Sequence, residues 1–138
     1  LDQGRLAEAA GQAELWLDGG HNPAAGEAIA RLLASMAPRA TYLICGMLGT
    51  KDVAGYMAPL AEHVAGLIAV SIPGEAATLP AKTTAEIARS VGMSAEIAPD
   101  VAAAIAAIVA HTPRARILIC GSLYLAGEVL RQNETLPD

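Results

Sequence analysis

The stretch from Leu15 to Pro23 constrains this chain more than any other. An apolar run, Leu15-Trp16-Leu17, ends in Asp18; two glycines, His21, Asn22 and Pro23 follow, and an Ala-rich amphipathic segment begins at once. That order reads as a strand, a tight turn and a helix start, because Asn is a favoured N-cap and Pro suits the first helical position. A turn of this kind gathers a carboxylate, an imidazole and free backbone N–H groups at one helix N-terminus, which is where α/β proteins bind phosphate.

The same alternation continues along the chain. Apolar runs at Leu15–Leu17, Thr41–Cys45, Gly66–Ile72, Ser94–Ala98 and Arg116–Cys120 read as strands. Helical periodicity covers Pro23–Met36, Val53–His63, Thr84–Val91, Asp100–His111 and Leu123–Gln132. In the first of these helices Ala24, Ala28, Ile29, Leu32, Leu33 and Met36 form the expected buried face. Asp52 is the expected cap of the second, and Gly92 closes the third. Pro73–Ala81 reads as a loop. Leu1–Gln12 has weak periodicity and reads as a linker or edge segment continuing from a missing N-terminal domain. Residues 13–132 then form one domain and 133–138 a polar tail. Strands apolar on both faces, alternating with helices, predict a Rossmann-like α/β fold, a mainly parallel sheet with helices on both faces. Right-handed crossovers would bring the turns after Leu17, Cys45 and Cys120 to one edge.

Leu-Ile-Cys-Gly occurs twice, at 43–46 and 118–121. Duplicated βα units would produce it; so would buried parallel strands that reuse aliphatics and end in Gly where the backbone turns sharply, which is the simpler reading.

Composition narrows the partners. Net charge is −5 with no basic cluster, which argues against nucleic acid. No apolar run approaches the roughly 20 residues of a membrane span, and no signal peptide is visible, so a cytoplasmic location is expected. Cys45 and Cys120 lie inside apolar runs and read as buried, reduced thiols. With no Phe and one Trp the core must be aliphatic, and with only 17% charged residues the surface can leave apolar area for another domain to cover.

Few residues are placed for chemistry. Gly46-Met47-Leu48-Gly49-Thr50-Lys51-Asp52 looks like a phosphate loop but is too short, and Lys51 is followed by Asp52 where Ser or Thr is required. No G-x-G-x-x-G is present. The histidines are scattered and the cysteines form no close pair, so no metal site is expected within this stretch. His63 and His111, near helix ends, read as surface residues; His21, in the turn at the ligand edge, reads as functional. Asp18 suits either an Asx turn or a ligand hydroxyl. Arg5 alone reads as a surface arginine, and Ser122 as a helix cap.

Taken together, Gly-Arg-Leu (4–6), Leu-Asp-Gly-Gly-His-Asn-Pro (17–23), Gly-Met-Leu-Gly-Thr-Lys-Asp (46–52) and Cys-Gly-Ser-Leu-Tyr-Leu-Ala-Gly-Glu-Val (120–129) resemble the C-terminal domain of bifunctional folylpolyglutamate synthase/dihydrofolate synthase enzymes, a branch of the Mur ligase superfamily. The similarity runs from Gly4 to about Arg131. Two positions depart from the family pattern: Gly20 stands where Ala is usual, and Gln3 where Pro precedes Gly-Arg. The resemblance implies a Mur ligase C-terminal fold and an ATP-dependent ligase that adds L-glutamate to dihydropteroate or folate through an acyl phosphate. It implies that the phosphate loop, the Mg²⁺ ligands and most of the dihydropteroate or tetrahydrofolate site lie in an N-terminal domain. It places Arg5, Asp18 and His21 at ATP, and Lys51 and Ser122 at the glutamate carboxylates, with this domain inactive alone. Two other readings stay open: a stand-alone nucleotide- or metabolite-binding module without catalysis, and the C-terminal domain of another Mur-type amino-acid ligase.

Overall fold

The computed structural model describes residues 4–20, 22–49, 52–72 and 78–133. Five strands, β1 (Glu14–Leu17), β2 (Thr41–Cys45), β3 (Gly66–Ala69), β4 (Ala95–Ile97) and β5 (Arg116–Cys120), form one sheet in the order β1-β5-β2-β3-β4. Every neighbouring pair is parallel. The helices are α1 (Arg5–Ala10), α2 (Pro23–Ser35), α3 (Val53–Met57), α4 (Ala81–Ser90), α5 (Val101–His111) and α6 (Leu123–Gln132), with a 3-10 helix at Ala58–His63.

The core has two layers because successive strand residues point to opposite faces of the sheet. Ile44, Ile68, Ile117 and Ile119 face Leu6 and Ala10 of α1, Val101, Ala104, Ile105 and Ile108 of α5, and Leu125 and Val129 of α6. Leu43, Cys45, Leu67, Leu118 and Cys120 face Ile29 and Ala30 of α2, Tyr56 and Met57 of α3, and Ala85 and Ala88 of α4. The strand order accounts for this partition. The chain steps outward from β1 through β2 and β3 to β4 with its helices on one face. It then doubles back through α5 and inserts β5 between β1 and β2, so a connection of the same hand lands on the other face.

The helix starts follow local chemistry. The Asn22 side chain accepts from Ala25 N–H at 2.8 Å, with Pro23 in the first turn of α2. Asp52 and Asp100 cap α3 and α5 in the same way, through Gly55 N–H at 3.0 Å and Ala103 N–H at 2.8 Å.

Four details differ from the sequence expectation. First, Arg5–Ala10 is helical rather than a linker or edge segment, with Leu6 and Ala10 packed into the core. At six residues it shows little periodicity, and its own N-cap, Gly4, offers no side chain. The missing acceptor comes from Asn133, whose Oδ1 takes Leu6 N–H at 2.7 Å and Ala7 N–H at 3.2 Å. Asn133, assigned by sequence to the tail, is therefore buried. Second, α2 buries Gly26, Ile29 and Ala30, while Ala24, Ala28 and Leu32 are exposed. A side chain on Gly26 would strike the Tyr56 carbonyl, so the bare glycine sets the contact line and turns the Ala24–Ala28–Leu32 row outward. Third, the expected helix Val53–His63 breaks at Ala58, because Pro59 lacks an N–H and its ring crowds the preceding turn. Fourth, β3 is shorter than expected and α4 begins three residues before Thr84.

Candidate functional site

The loops after β1, β2 and β5 leave the same edge of the sheet side by side. Leu17 pairs with Ile119 and Cys45 with Cys120, and the pairing continues past the strand ends. Asp18 N–H donates to the Ile119 carbonyl at 2.9 Å, and Gly46 N–H to the Cys120 carbonyl at 3.3 Å. The chain after β5 turns to α6 on one face, whereas the chains after β1 and β2 turn to α2 and α3 on the other. Loops that diverge in this way around the C-terminal ends of parallel strands open the crevice in which α/β proteins hold ligands.

Asp18 stands at this crevice, half-buried at the end of β1. Its Oδ1 accepts Gly20 N–H at 2.6 Å, which is the Asx turn expected of it. Gly20 is tightly held: a Cβ there would lie 2.7 Å from the Ala25 Cβ and 2.8 Å from Asp18 Oδ1. The departure from Ala at position 20 thus has a steric partner in the first turn of α2. On the β5 side, Gly121 has φ +110°, and a Cβ would meet Met47 Sδ at 2.6 Å and the Gly46 carbonyl at 2.7 Å. The 46–47 and 121 backbones approach this closely because residue 121 has no side chain. Ser122 is buried at the foot of α6, and its carbonyl accepts Ala126 N–H at 3.0 Å, as an N-cap residue's does. The loop after β2 is braced from outside: the Met47 carbonyl accepts Leu79 N–H at 2.8 Å.

Asp18 and Ser122 are thereby brought to one rim. His21 and Lys51 lie outside the described residues. The backbone at the start of α1 is seated on Asn133, beyond the C-terminal end of α6, while Ser122 lies at the other end; the Arg5 side chain lies outside the described residues. Ten helical residues, about 15 Å, separate those two ends. Among the described residues no group of three or more His, Cys, Asp or Glu could hold a metal ion, and no helix is long and apolar enough to cross a membrane.

Sequence reasoning passed over a residue at the centre of this edge. Tyr56 is fully buried under the rim, and its hydroxyl has no partner at hydrogen-bonding geometry among the described residues. Burial, the Cys120 and Cys45 thiols and the charge of Asp18 push its ionisation far above the ordinary tyrosine range. Its place in α3, three residues after Val53, marks it in the sequence only as a core residue. A polar network at the opposite end of β1 is structural. Glu14 accepts from Trp16 Nε1 at 3.0 Å and pairs with Arg39 and with the buried Arg116. The Trp16 hydrogen bond, aided by the two arginines against the cost of burial, holds the Glu14 carboxyl below its ordinary range. A cavity of about 330 Å³ also lies away from the rim, among Tyr42, Gly66, Ser94, Glu96 and His111 at the other strand ends. A smaller groove starts at Asp18 and runs past Trp16 and Leu32, both large apolar side chains left exposed.

The family pattern described as "Mur ligase, glutamate ligase domain" matches residues 4–123. The chain belongs to this family. The glutamate ligase domain is also similar to solved structures of complete enzymes. Mycobacterium tuberculosis folylpolyglutamate synthase complexed with ADP superposes with a TM-score of 0.81 at 25% identity, over 90% of this chain and 30% of that one. E. coli FolC in complex with DHPP and ADP gives 0.71 at 26% identity, over 83% and 27%. The ligand-free bifunctional folylpolyglutamate synthase/dihydrofolate synthase of Yersinia pestis gives 0.74 at 28%, over 88% and 29%. The chain therefore spans under a third of the length of these structures. Comparison with curated proteins finds no match. The parallel α/β fold, the Mur ligase family and the likeness to folate-branch structures all agree with the sequence reading.

Proposed function

We propose that this domain forms one wall of the catalytic cleft of an ATP-dependent ligase that joins L-glutamate to dihydropteroate or a folate in the cytoplasm. The observation that carries the reading is the shared rim: Asp18, the turn into α2, Gly46–Met47 and Gly121–Ser122 meet at the C-terminal edge of one parallel sheet. Related enzymes were solved with ADP, with DHPP, and with Mn, AMPPNP and L-glutamate, which is the ligand set this chemistry requires.

In the proposed reaction the γ-phosphoryl group of ATP passes to the carboxylate of the pterin substrate, giving an acyl phosphate and ADP. The glutamate amine attacks the carbonyl carbon, the tetrahedral intermediate expels phosphate, and the amine loses a proton as the amide forms. Asp18, whose Oδ1 holds the Asx turn, is assigned to the ribose hydroxyls. The N-terminus of α2, which carries about half a positive charge, and His21 are assigned to the phosphates. Lys51 and Ser122 are assigned to the glutamate carboxylates. Mg²⁺ is assigned, on the resemblance, to ligands of an N-terminal domain. Closure of the two walls excludes water from the acyl phosphate.

The test is steady-state kinetics of the intact enzyme. Asp18→Asn keeps the turn's acceptor oxygen and is expected to raise KM for ATP at least tenfold, the loss of one charged hydrogen bond of about 1.5–3 kcal/mol. Arg5→Ala tests the assignment of Arg5 to ATP that the resemblance implies, with a tenfold loss of turnover expected. An unchanged KM for ATP in Asp18→Asn, or ligase activity from these 138 residues alone, overturns the proposal.

A further inference from the structure

Two sulfur atoms meet beneath Gly121, a third belongs to the register partner on the next strand, and none serves a step of the proposed reaction. Cys45 and Cys120 are register partners on β2 and β5, and both side chains point to the α2–α4 face. Met47 Sδ and Cys45 Sγ lie 2.6 and 3.0 Å from the point a Gly121 Cβ would occupy, so these two sulfurs are under about 6 Å apart. Tyr56 packs in the same cluster, and its fully buried hydroxyl is a donor without a partner of normal geometry among the described residues.

We propose that Cys45, Cys120 and Met47 form a binding site for a soft monovalent ion of the copper(I) class, with the Tyr56 hydroxyl donating to the Cys120 sulfur once it is a thiolate. Two thiols and a thioether with no oxygen or nitrogen ligand select soft ions and reject Mg²⁺ and Ca²⁺. The spacing suits an ion between the cysteines better than a bond. Paired residues on neighbouring strands stand about 4.7–4.9 Å apart, a spacing from which two thiolates can reach the sulfur separation of about 4–4.6 Å that bonds of about 2.3 Å to one ion require. A disulfide needs the Cβ atoms at about 3.5–4.5 Å and the sulfurs at about 2.05 Å, and so requires the strands to close up. Met47, unbranched and flexible, can swing to admit the ion and then supply the third ligand. On binding, both thiol protons leave to solvent and the two thiolates take their place around the ion. The buried negative charge that results gives the Tyr56 hydroxyl the acceptor it otherwise lacks, in the way outer-shell donors support metal ligands elsewhere.

The test is an anaerobic titration of the 138-residue chain with copper(I) delivered from a coloured chelator complex, followed by X-ray absorption of the product. One equivalent is expected to transfer, with a shell of sulfur alone at about 2.3 Å. Cys45→Ser is expected to weaken binding by more than about a hundredfold, and Met47→Leu and Tyr56→Phe by about tenfold each. No transfer, a nitrogen- or oxygen-containing shell, or wild-type affinity in Cys45→Ser or Met47→Leu overturns the proposal. If circular dichroism shows Cys45→Ser unfolded, the wild-type absorption spectrum and the near-isosteric Met47→Leu variant decide it.

Discussion

Two glycines with similar backbones and different surroundings separate two costs that are usually merged. Gly92 and Gly121 have φ of +97° and +110°, a region L side chains rarely adopt. A Cβ on Gly92 meets nothing within 4 Å, whereas one on Gly121 meets Met47 Sδ at 2.6 Å, the Gly46 carbonyl at 2.7 Å and Cys45 Sγ at 3.0 Å. Gly92→Ala therefore carries only backbone strain, about 1–3 kcal/mol. Gly121→Ala carries the same strain and an overpacking cost of about 1–3 kcal/mol. Met47 can give way at some loss of packing, but the Gly46 backbone is held to β5 through its N–H on the Cys120 carbonyl, so the second cost cannot be fully relaxed. At this chain length 1 kcal/mol moves Tm by about 3–4 °C, so the two variants should differ by about 3–12 °C, with Gly121→Ala the lower. Urea unfolding of both, followed by circular dichroism, gives the difference directly. Equal midpoints at equal slopes would mean that the 46–47 and 121 loops do not press together, and the shared rim would lose its main geometric support.

Three further outcomes follow from single contacts. Asn133→Ala removes the acceptor of Leu6 and Ala7 N–H, so stability should fall by about 1–3 kcal/mol and those two amides should lose hydrogen-exchange protection; retained protection would show that α1 is held by its apolar face alone. Glu14 has a folded-state pKa below the ordinary 4.5, so its contribution is present above about pH 4.5 and is lost as pH falls through the lowered value. Stability of Glu14→Gln should accordingly fall less than wild type over that acid range, and parallel curves would refute the pairing with Trp16 and the arginines. Gly20→Ala brings in the methyl the family usually carries and should cost about 1–3 kcal/mol, part of it recovered when Ala25→Gly is added; strict additivity of the two would deny the contact.

The legible parts of this fold are those in which local chemistry and tertiary packing agree. Asn22, Asp52 and Asp100 cap the helices that follow them, and continuous aliphatic runs become strands buried on both sides. What escaped the sequence was set by distant contacts. Nothing near Arg5–Ala10 announces a helix, because its capping oxygen arrives from Asn133, 127 residues from Leu6. The buried line of α2 depends on a missing side chain, Gly26, against a carbonyl of α3, and periodicity counts the side chains that are there. At the candidate site the strand-end position of Asp18 was readable, as was the burial of both cysteines. That the cysteines are register partners, with Met47 and Tyr56 in the same cluster, depended on strand order and register, which no local pattern encodes.

Strand order also explains why the rim cannot exist in a piece of this chain that lacks β5. β1 pairs with β5 alone, and β5 is the last strand to be made although it lies between β1 and β2. The Asp18 turn is therefore held in place by Ile119, about a hundred residues later, and the Gly46 turn by Cys120. Closing loops of that length costs entropy that only the finished sheet repays. Local sequence makes each turn, with its glycines, its cap and its carboxylate, but a turn is not yet a site. The site forms when β5 enters, aligns the turns after β1 and β2 on either side of Gly121, and sends its own chain to the opposite face. The resulting crevice is thus a property of the closed sheet, and a substitution that loosens β5 should disturb the Asp18 turn and the Met47 loop together, however far it lies from either.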